Sequence, residues 1–334
     1  LEEVSLKNAL ITGGAGFIGY HLALRLVQKG YRVDIADNFS RGVRDSFLLH
    51  LAKSPEARLF DVDLLDRSSF SELAGDYSVV FHLAAIIGVQ HVLNAPYDVL
   101  TRNTELLENT IDFCREQKHL DRFVFASTSE IYSGTLRHFS LPVPTPETVP
   151  LAITNLSENR TSYMLSKIYG EALCLHSGLP VTIVRPHNFY GPRMGLSHVI
   201  PELMKKAFLS NSSELTVFSP DHTRTFCFID DAVEMITVLA ESEATRGTAY
   251  NIGNETPEIT ISSLAEKILS VSNSKQTVKA GPVTEGSPAR RCPDMSRTLE
   301  ATGFSSLVSL DQGLLRTFQW YKTNVFLNNG ESAI

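Results

Sequence analysis

Ala9-Leu10-Ile11-Thr12-Gly13-Gly14-Ala15-Gly16-Phe17-Ile18-Gly19 passes from an apolar run through a glycine turn into an amphipathic stretch at 21–29. Strand, turn and helix in that order predict a device for holding a pyrophosphate. Glycine lets the turn close and the backbone approach the phosphates, while the helix N-terminus offers free N–H groups and positive dipole. The spacing is G-x-x-G-x-x-G at Gly13, Gly16 and Gly19, and a lone triplet of this kind is weak. It gains weight from a second apolar run, Arg32-Val33-Asp34-Ile35-Ala36, which ends in Asp37. That is roughly the ~20-residue distance at which an acid grips a ribose diol. The alternative for Asp37 is an ordinary solvated strand-end acid. A carboxylate there would repel a 2′-phosphate, so NAD is expected rather than NADP. Phe17, Ile18, Asn38 and Ser40 flank these positions and are expected to line the cofactor.

The chain has 334 residues, 43% hydrophobic and 20% charged, which suits one large α/β unit with an attached lobe. A net charge of −7 gives no electrostatic case for binding nucleic acid or an anionic membrane. No apolar segment reaches the ~18 residues of a membrane span. Cys114, Cys174, Cys227 and Cys292 lack metal-like spacing and are expected to be reduced, in keeping with a cytoplasmic location and no metal site. The chain opens at Leu1 without Met, which leaves its natural N-terminus undefined.

Strand-like runs recur at 8–12, 32–37, 57–62, 79–84, 123–127 and 181–185, with helical patterns such as 103–117 between most of them. This alternation predicts an α/β fold built on a Rossmann-type doubly wound parallel sheet. A proline-bearing stretch at 136–161 breaks the rhythm, and after Pro186 it loosens. Residues 1–186 are expected to form mainly the NAD-binding domain, and 187–334 mainly a smaller α/β substrate lobe. The segments interleave, with about 225–253 returning to the main domain.

Tyr163 and Lys167 stand four apart, so on a helix both project from one face. An ammonium beside a phenol favours phenolate and would make Tyr163 a usable base. The pattern alone is common. It matters here because Thr128-Ser129-Glu130 follows a strand, placing hydroxyls and a carboxylate where doubly wound sheets hold ligands.

Together these residues resemble the extended short-chain dehydrogenase/reductases that remodel nucleotide sugars. The resemblance covers nearly the whole chain. It includes Asp63-Leu64, Leu83-Ala84-Ala85 after Phe81-His82, Asn103, and Arg185-Pro186-His187-Asn188 leading to Arg193. Tyr250-Asn251-Ile252-Gly253-Asn254 and Arg290-Arg291-Cys292-Pro293-Asp294 continue it. The resemblance implies that Tyr163 takes a proton from a sugar hydroxyl, usually at C4, while NAD accepts the hydride. Thr128 would bridge hydroxyl and phenol, and Lys167 would hold the nicotinamide ribose. Asp63 and Leu64 would meet the adenine, and Leu83, Ala84, Ala85, Asn103 and Pro186 would line the cofactor. The substrate it implies is a nucleotide-diphosphate sugar, with UDP the expected nucleotide. Ser129, Asn188, Arg193, Val199, Arg224 and Arg291 are its expected contacts.

Glu130 looks like the acid of nucleotide-sugar decarboxylases and 4,6-dehydratases, which lies near C5 and C6. The segment containing His198 is similar to one in GDP-fucose synthase, whose histidine is an acid/base with Glu130 at its partner's position. The plainer reading is that both only hydrogen-bond sugar or backbone. An epimerase with transient C4 oxidation is the leading expectation. The rivals are a UDP-glucuronate decarboxylase, which shares the Arg-x-Pro-Asp segment at Arg291, and then a 4,6-dehydratase. A non-catalytic NAD-binding regulator would have no need of Thr128, Tyr163 and Lys167 together. The resemblance also implies a homodimer through helices at 103–117 and 163–176.

Overall fold

The computed structural model describes residues 7–327 apart from 74, 285, 306 and 307. Seven strands form one parallel sheet: β1 (Asn8–Thr12), β2 (Arg32–Asp37), β3 (Ala57–Asp61), β4 (Val79–His82), β5 (Arg122–Ala126), β6 (Val181–Pro186) and β7 (Thr248–Ile252). Their order is β7-β6-β5-β4-β1-β2-β3. The fold is therefore the Rossmann-type sheet expected from the alternation. The order reverses between β1 and β4, which opens a crevice at the C-terminal strand ends. Three expected strands end early, at Asp61, His82 and Ala126. There the chain leaves the ladder and turns along that crevice.

Both faces of the sheet are covered, which explains the near-continuous apolar strands. Ile11, Ile35, Phe81 and Val124 pack on one face with Leu22 and Leu26 of helix α1 (Phe17–Gln28). Leu10, Val80, Phe123 and Ile183 pack on the other with Leu107 and Ile111 of helix α2 (Pro96–Arg115) and Cys174 of helix α3 (Asn159–Leu175). Alternation of Leu10 and Ile11 between two cores is the period-two signature of a strand buried on both sides. Helix α2 starts earlier than the expected 103, because Pro96 suits the first helical position and Asp98 suits the first turn. Helix α4 (Ile229–Glu241) packs on α1 and on β5, β6 and β7.

The remaining segments form small sheets and helices above the crevice. One three-stranded sheet places Thr223–Arg224 between Ile259–Thr260 and Arg290–Arg291, with Arg291 beside Arg224. Among the described residues no helix is long and apolar enough to cross a membrane.

Candidate active site

The glycine turn closes against the end of β4. Gly13 has φ +69°, and a Cβ there would lie 2.8 Å from the Ala84 backbone. At Gly19 a Cβ would meet Gly14 Cα at 2.5 Å, so helix α1 can approach the turn only as glycine. Phe17 and Ile18 open α1, whose first N–H groups face outward without a side-chain cap. Thr12 Oγ1 accepts from Ala84 N at 3.3 Å and pairs with His82 Nδ1 at 3.0 Å. His82 is thus a buried structural residue whose imidazole burial holds neutral, with a pKa pushed down to about 3.

Asp37 caps this turn from β2. Its carboxylate accepts the Ala15 N–H at 3.0 Å and the Phe39 N–H at 2.9 Å. Each oxygen keeps a lone pair, so two ribose hydroxyls can still be received. Burial raises the Asp37 pKa, and the two N–H donors partly oppose that. Asn38 accepts from Ser40 N at 3.1 Å, holding the loop beyond. Asp63 is exposed and Leu64 buried after β3, and Val62 N donates to Asp37 O at 3.1 Å. Leu83, Ala84 and Ala85 are half-buried at the end of β4. Asn103 supports this run from beneath: its Oδ1 accepts Ile86 N at 2.7 Å and its Nδ2 donates to Ile86 O at 3.1 Å. With both ends of its amide engaged, Asn103 shapes the loop beside the cofactor cleft.

The second half of the site hangs from β5. Thr128 caps a short turn at Ser129–Tyr132, accepting Glu130 N at 3.2 Å, and also hydrogen-bonds Tyr163. Lys167 is buried, and its Nζ donates to Ala126 O at 2.7 Å. An ammonium has three donors, so two remain for ribose hydroxyls. One expectation is corrected here. Burial raises the Tyr163 pKa, and the Thr128 hydrogen bond and the Arg41 charge only partly oppose it. Lys167 Nζ stands 6.0 Å from the Tyr163 ring centre and donates to a carbonyl, so Thr128 and not Lys167 holds the phenol by a hydrogen bond. Lys167 itself is pushed down to about 8 by burial.

Glu130 and Arg291 form an ion pair at 2.8 Å. The Arg291 charge holds the Glu130 carboxyl below its ordinary range against the opposing effect of burial, and Arg160 adds to this. His198 does not touch Glu130 through a hydrogen bond among the described residues. It precedes the helix Val199–Leu209, exposed beside exposed Val199, and caps that helix with no side-chain hydrogen bond among the described residues. Desolvation of the ring and the Arg41 charge lower its pKa.

The arginines do not gather as one clamp. Arg193 pairs with Asp45 at 2.7 Å and stacks 4.2 Å over Tyr20, which binds it to the cofactor domain. Arg290 is held by Glu258. Arg224 and Arg291 do lie side by side, and Arg224 is pushed down to about 10 by burial and by Arg291. Its guanidinium donates to the carbonyls of Thr223 and Pro288 at 2.7 and 2.6 Å. Asn188, at φ +44°, donates to Thr225 O at 2.9 Å. Pro186 ends β6 half-buried, and Ser129 is buried. Below them Arg185 pairs with Glu171 at 2.6 Å and donates to Tyr132 Oη at 2.8 Å. Tyr132 and His187 both meet Asn251 Oδ1, at 2.9 and 3.1 Å.

Two residues escaped the sequence reading. Arg160 lies three before Tyr163, one helical turn back, and that spacing was the available signal. Arg41 follows Asp37 in a loop whose path no local pattern fixes.

The described residues fit an NAD molecule: the close-packed glycine turn, the open lone pairs of Asp37 and the free donors of Lys167 occur along one crevice. Residues 9–253 match the NAD dependent epimerase/dehydratase family. The chain is 35% identical to a UDP-N-acetyl-alpha-D-glucosaminuronate decarboxylase of Bacillus cytotoxicus, over 95% of this chain and 98% of that protein. It is 29% identical to UDP-glucuronic acid decarboxylase 1 of Arabidopsis thaliana, over 96% of this chain and 71% of that protein. It also superposes on the UDP-glucuronic acid 4-epimerase of Bacillus cereus, solved with UDP-glucuronic acid and NAD, with TM-score 0.81 and 26% identity over 94% of this chain and 99% of that one. With an NAD-fitting crevice and a family match across most of its length, the chain belongs to the NAD dependent epimerase/dehydratase family, and its cofactor is NAD.

Proposed function

We propose that the protein decarboxylates a UDP-linked hexuronate, in place of the epimerisation that the sequence alone favoured. The observation that carries this reading is the Glu130–Arg291 ion pair beside Thr128 and Tyr163. An epimerase that only inverts C4 needs no ion pair near C5 and C6. The likeness to two hexuronate decarboxylases supports the same choice.

Bound in the crevice, NAD would supply a hydride acceptor for C4 and a hydride donor for its later reduction. Tyr163, hydrogen-bonded to Thr128, takes the C4 hydroxyl proton as its phenolate, the form that the positive charge of bound NAD would favour. The resulting C4 ketone stands β to the C6 carboxylate. The C5–C6 bond then breaks, carbon dioxide leaves, and the electron pair passes through C5 onto the C4 oxygen as an enolate. A proton added to C5 restores the ketone, and Tyr163 returns its proton when C4 is reduced.

Arg291 is suited to take the substrate carboxylate, since a guanidinium fork matches that group. In doing so it leaves Glu130. A carboxyl that loses its cation and gains a like charge nearby moves upward in pKa. Glu130, ionised in the free enzyme, then takes up a proton from solvent and becomes the acid that C5 requires.

Incubation with UDP-glucuronate and UDP-N-acetylglucosaminuronate in heavy water tests the proposal by product mass. The expected product has lost carbon dioxide and gained one deuterium at C5. Isobaric product would replace this reading with epimerisation, and loss of water would replace it with dehydration. Glu130→Gln is expected to retain transient NADH formation and to lose product release.

A further inference from the structure

Arg41 reaches from the loop after β2 and donates a hydrogen bond from Nη1 to Ile87 O, in the loop after β4. In the sheet β1 lies between β2 and β4. A link between those two loops must therefore pass over the C-terminal end of β1, where the glycine turn begins. The acceptor side is fixed: Asn103 holds the preceding residue, Ile86, through both its N–H and its carbonyl. The donor side is a long, exposed side chain. Gly88, at φ +106°, lets the guanidinium lie close, because a Cβ there would stand 3.1 Å from Nη1.

Arg41 has no carboxylate partner among the described residues. Its only hydrogen bond there is to the Ile87 carbonyl, and burial opposes its charge. A guanidinium stays charged at any accessible pH. A cation held without an anion, over a turn and helix N-terminus that themselves attract phosphate, is short of one ligand.

We infer that Arg41 is a clasp over the cofactor cleft, which exchanges the Ile87 carbonyl for the NAD diphosphate and thereby sets how long NAD stays bound. Slow release suits a reaction that returns its hydride to the cofactor it started with. In the free enzyme the same side chain closes the mouth of the cleft, so it must let go of Ile87 before NAD enters.

The test uses enzyme stripped of nucleotide and measures binding of NAD, ADP and adenosine, together with NAD dissociation after dilution. Arg41→Ala is expected to weaken NAD and ADP and to speed NAD release at least about tenfold, the scale of one lost charge-assisted hydrogen bond. Adenosine, which has no diphosphate, is expected to bind as before. Arg41→Lys keeps the charge and should recover most of the ADP affinity. Unchanged or tighter NAD and ADP binding in Arg41→Ala would overturn the inference, since the arginine would then only obstruct the cleft. Equal weakening of adenosine would also overturn it, because the effect would then come from a displaced Asp37 loop. Arg41→Gln repeats the measurement with a side chain that keeps the loop's bulk.

Discussion

A side chain that takes and returns a proton within one turnover must be held against the reacting oxygen, and Tyr163 is held by Thr128. Burial works against the phenolate that this role requires, and the positive nicotinamide of bound NAD would favour it. Tyr163→Phe is expected to lower turnover by at least ~10², the scale of a lost general base, while purified protein still carries NAD by absorbance. Normal turnover in that variant would remove Tyr163 from the reaction. Lys167 offers a second measurement. Its folded-state pKa lies near 8, below the ordinary 10.5. Between those values the unfolded chain binds a proton that the folded chain has shed, so this residue's contribution to stability rises with pH across that window. The full displacement corresponds to about 3 kcal/mol. The stability difference between native protein and Lys167→Met, both free of nucleotide, should grow by up to that amount from pH 8 to 10.5 in urea unfolding. A difference independent of pH would mean that Lys167 is not desolvated.

At the scale of elements, the strand ends are cross-wired beneath the site. Arg185 of β6, Glu171 of α3, Tyr132 after β5 and Asn251 of β7 share one buried network. Removing one partner of such a pair leaves an uncompensated charge in low dielectric. Glu171→Gln should cost about 3 kcal/mol in urea unfolding, and the paired replacement Arg185→Met with Glu171→Leu should cost less. If the single variant is as stable as the native protein, the network carries no such strain. This wiring also shows where the sequence stopped being legible. The glycine turn, Asp37 and the Tyr163–Lys167 pair were readable because strand, turn and helix rules act over a few residues. The partner of Arg193 lies 148 positions away and that of Arg291 lies 161 positions away, and no local rule reaches so far. Arg193 therefore read as a substrate contact, and its ion pair with Asp45 was not legible. The competition between burial and charge at Tyr163 depends equally on tertiary packing, which spacing alone does not encode.

For the molecule as a whole, helices α2 and α3 lie side by side on one face of the sheet. They leave Tyr97 76% exposed and Tyr169 45% exposed on their outer side. We propose that two chains pair these helices as a four-helix contact. Sedimentation at micromolar concentration should give a dimer, and Tyr169→Glu should shift it toward monomer. A native monomer across that range would refute the proposal.

Strand β7 and helix α4 come from beyond residue 225, yet they complete the sheet that begins at residue 8. Their placement has a consequence for biosynthesis. A nascent chain released as far as Pro186 has β6 as an unpaired, apolar edge, and the β5–β6 surface lacks the helix that covers it. Such edges invite pairing with other chains. The cofactor half therefore cannot finish folding when its own residues have left the ribosome. It must wait for some sixty more residues to emerge, and during that interval a chaperone's cover matters most.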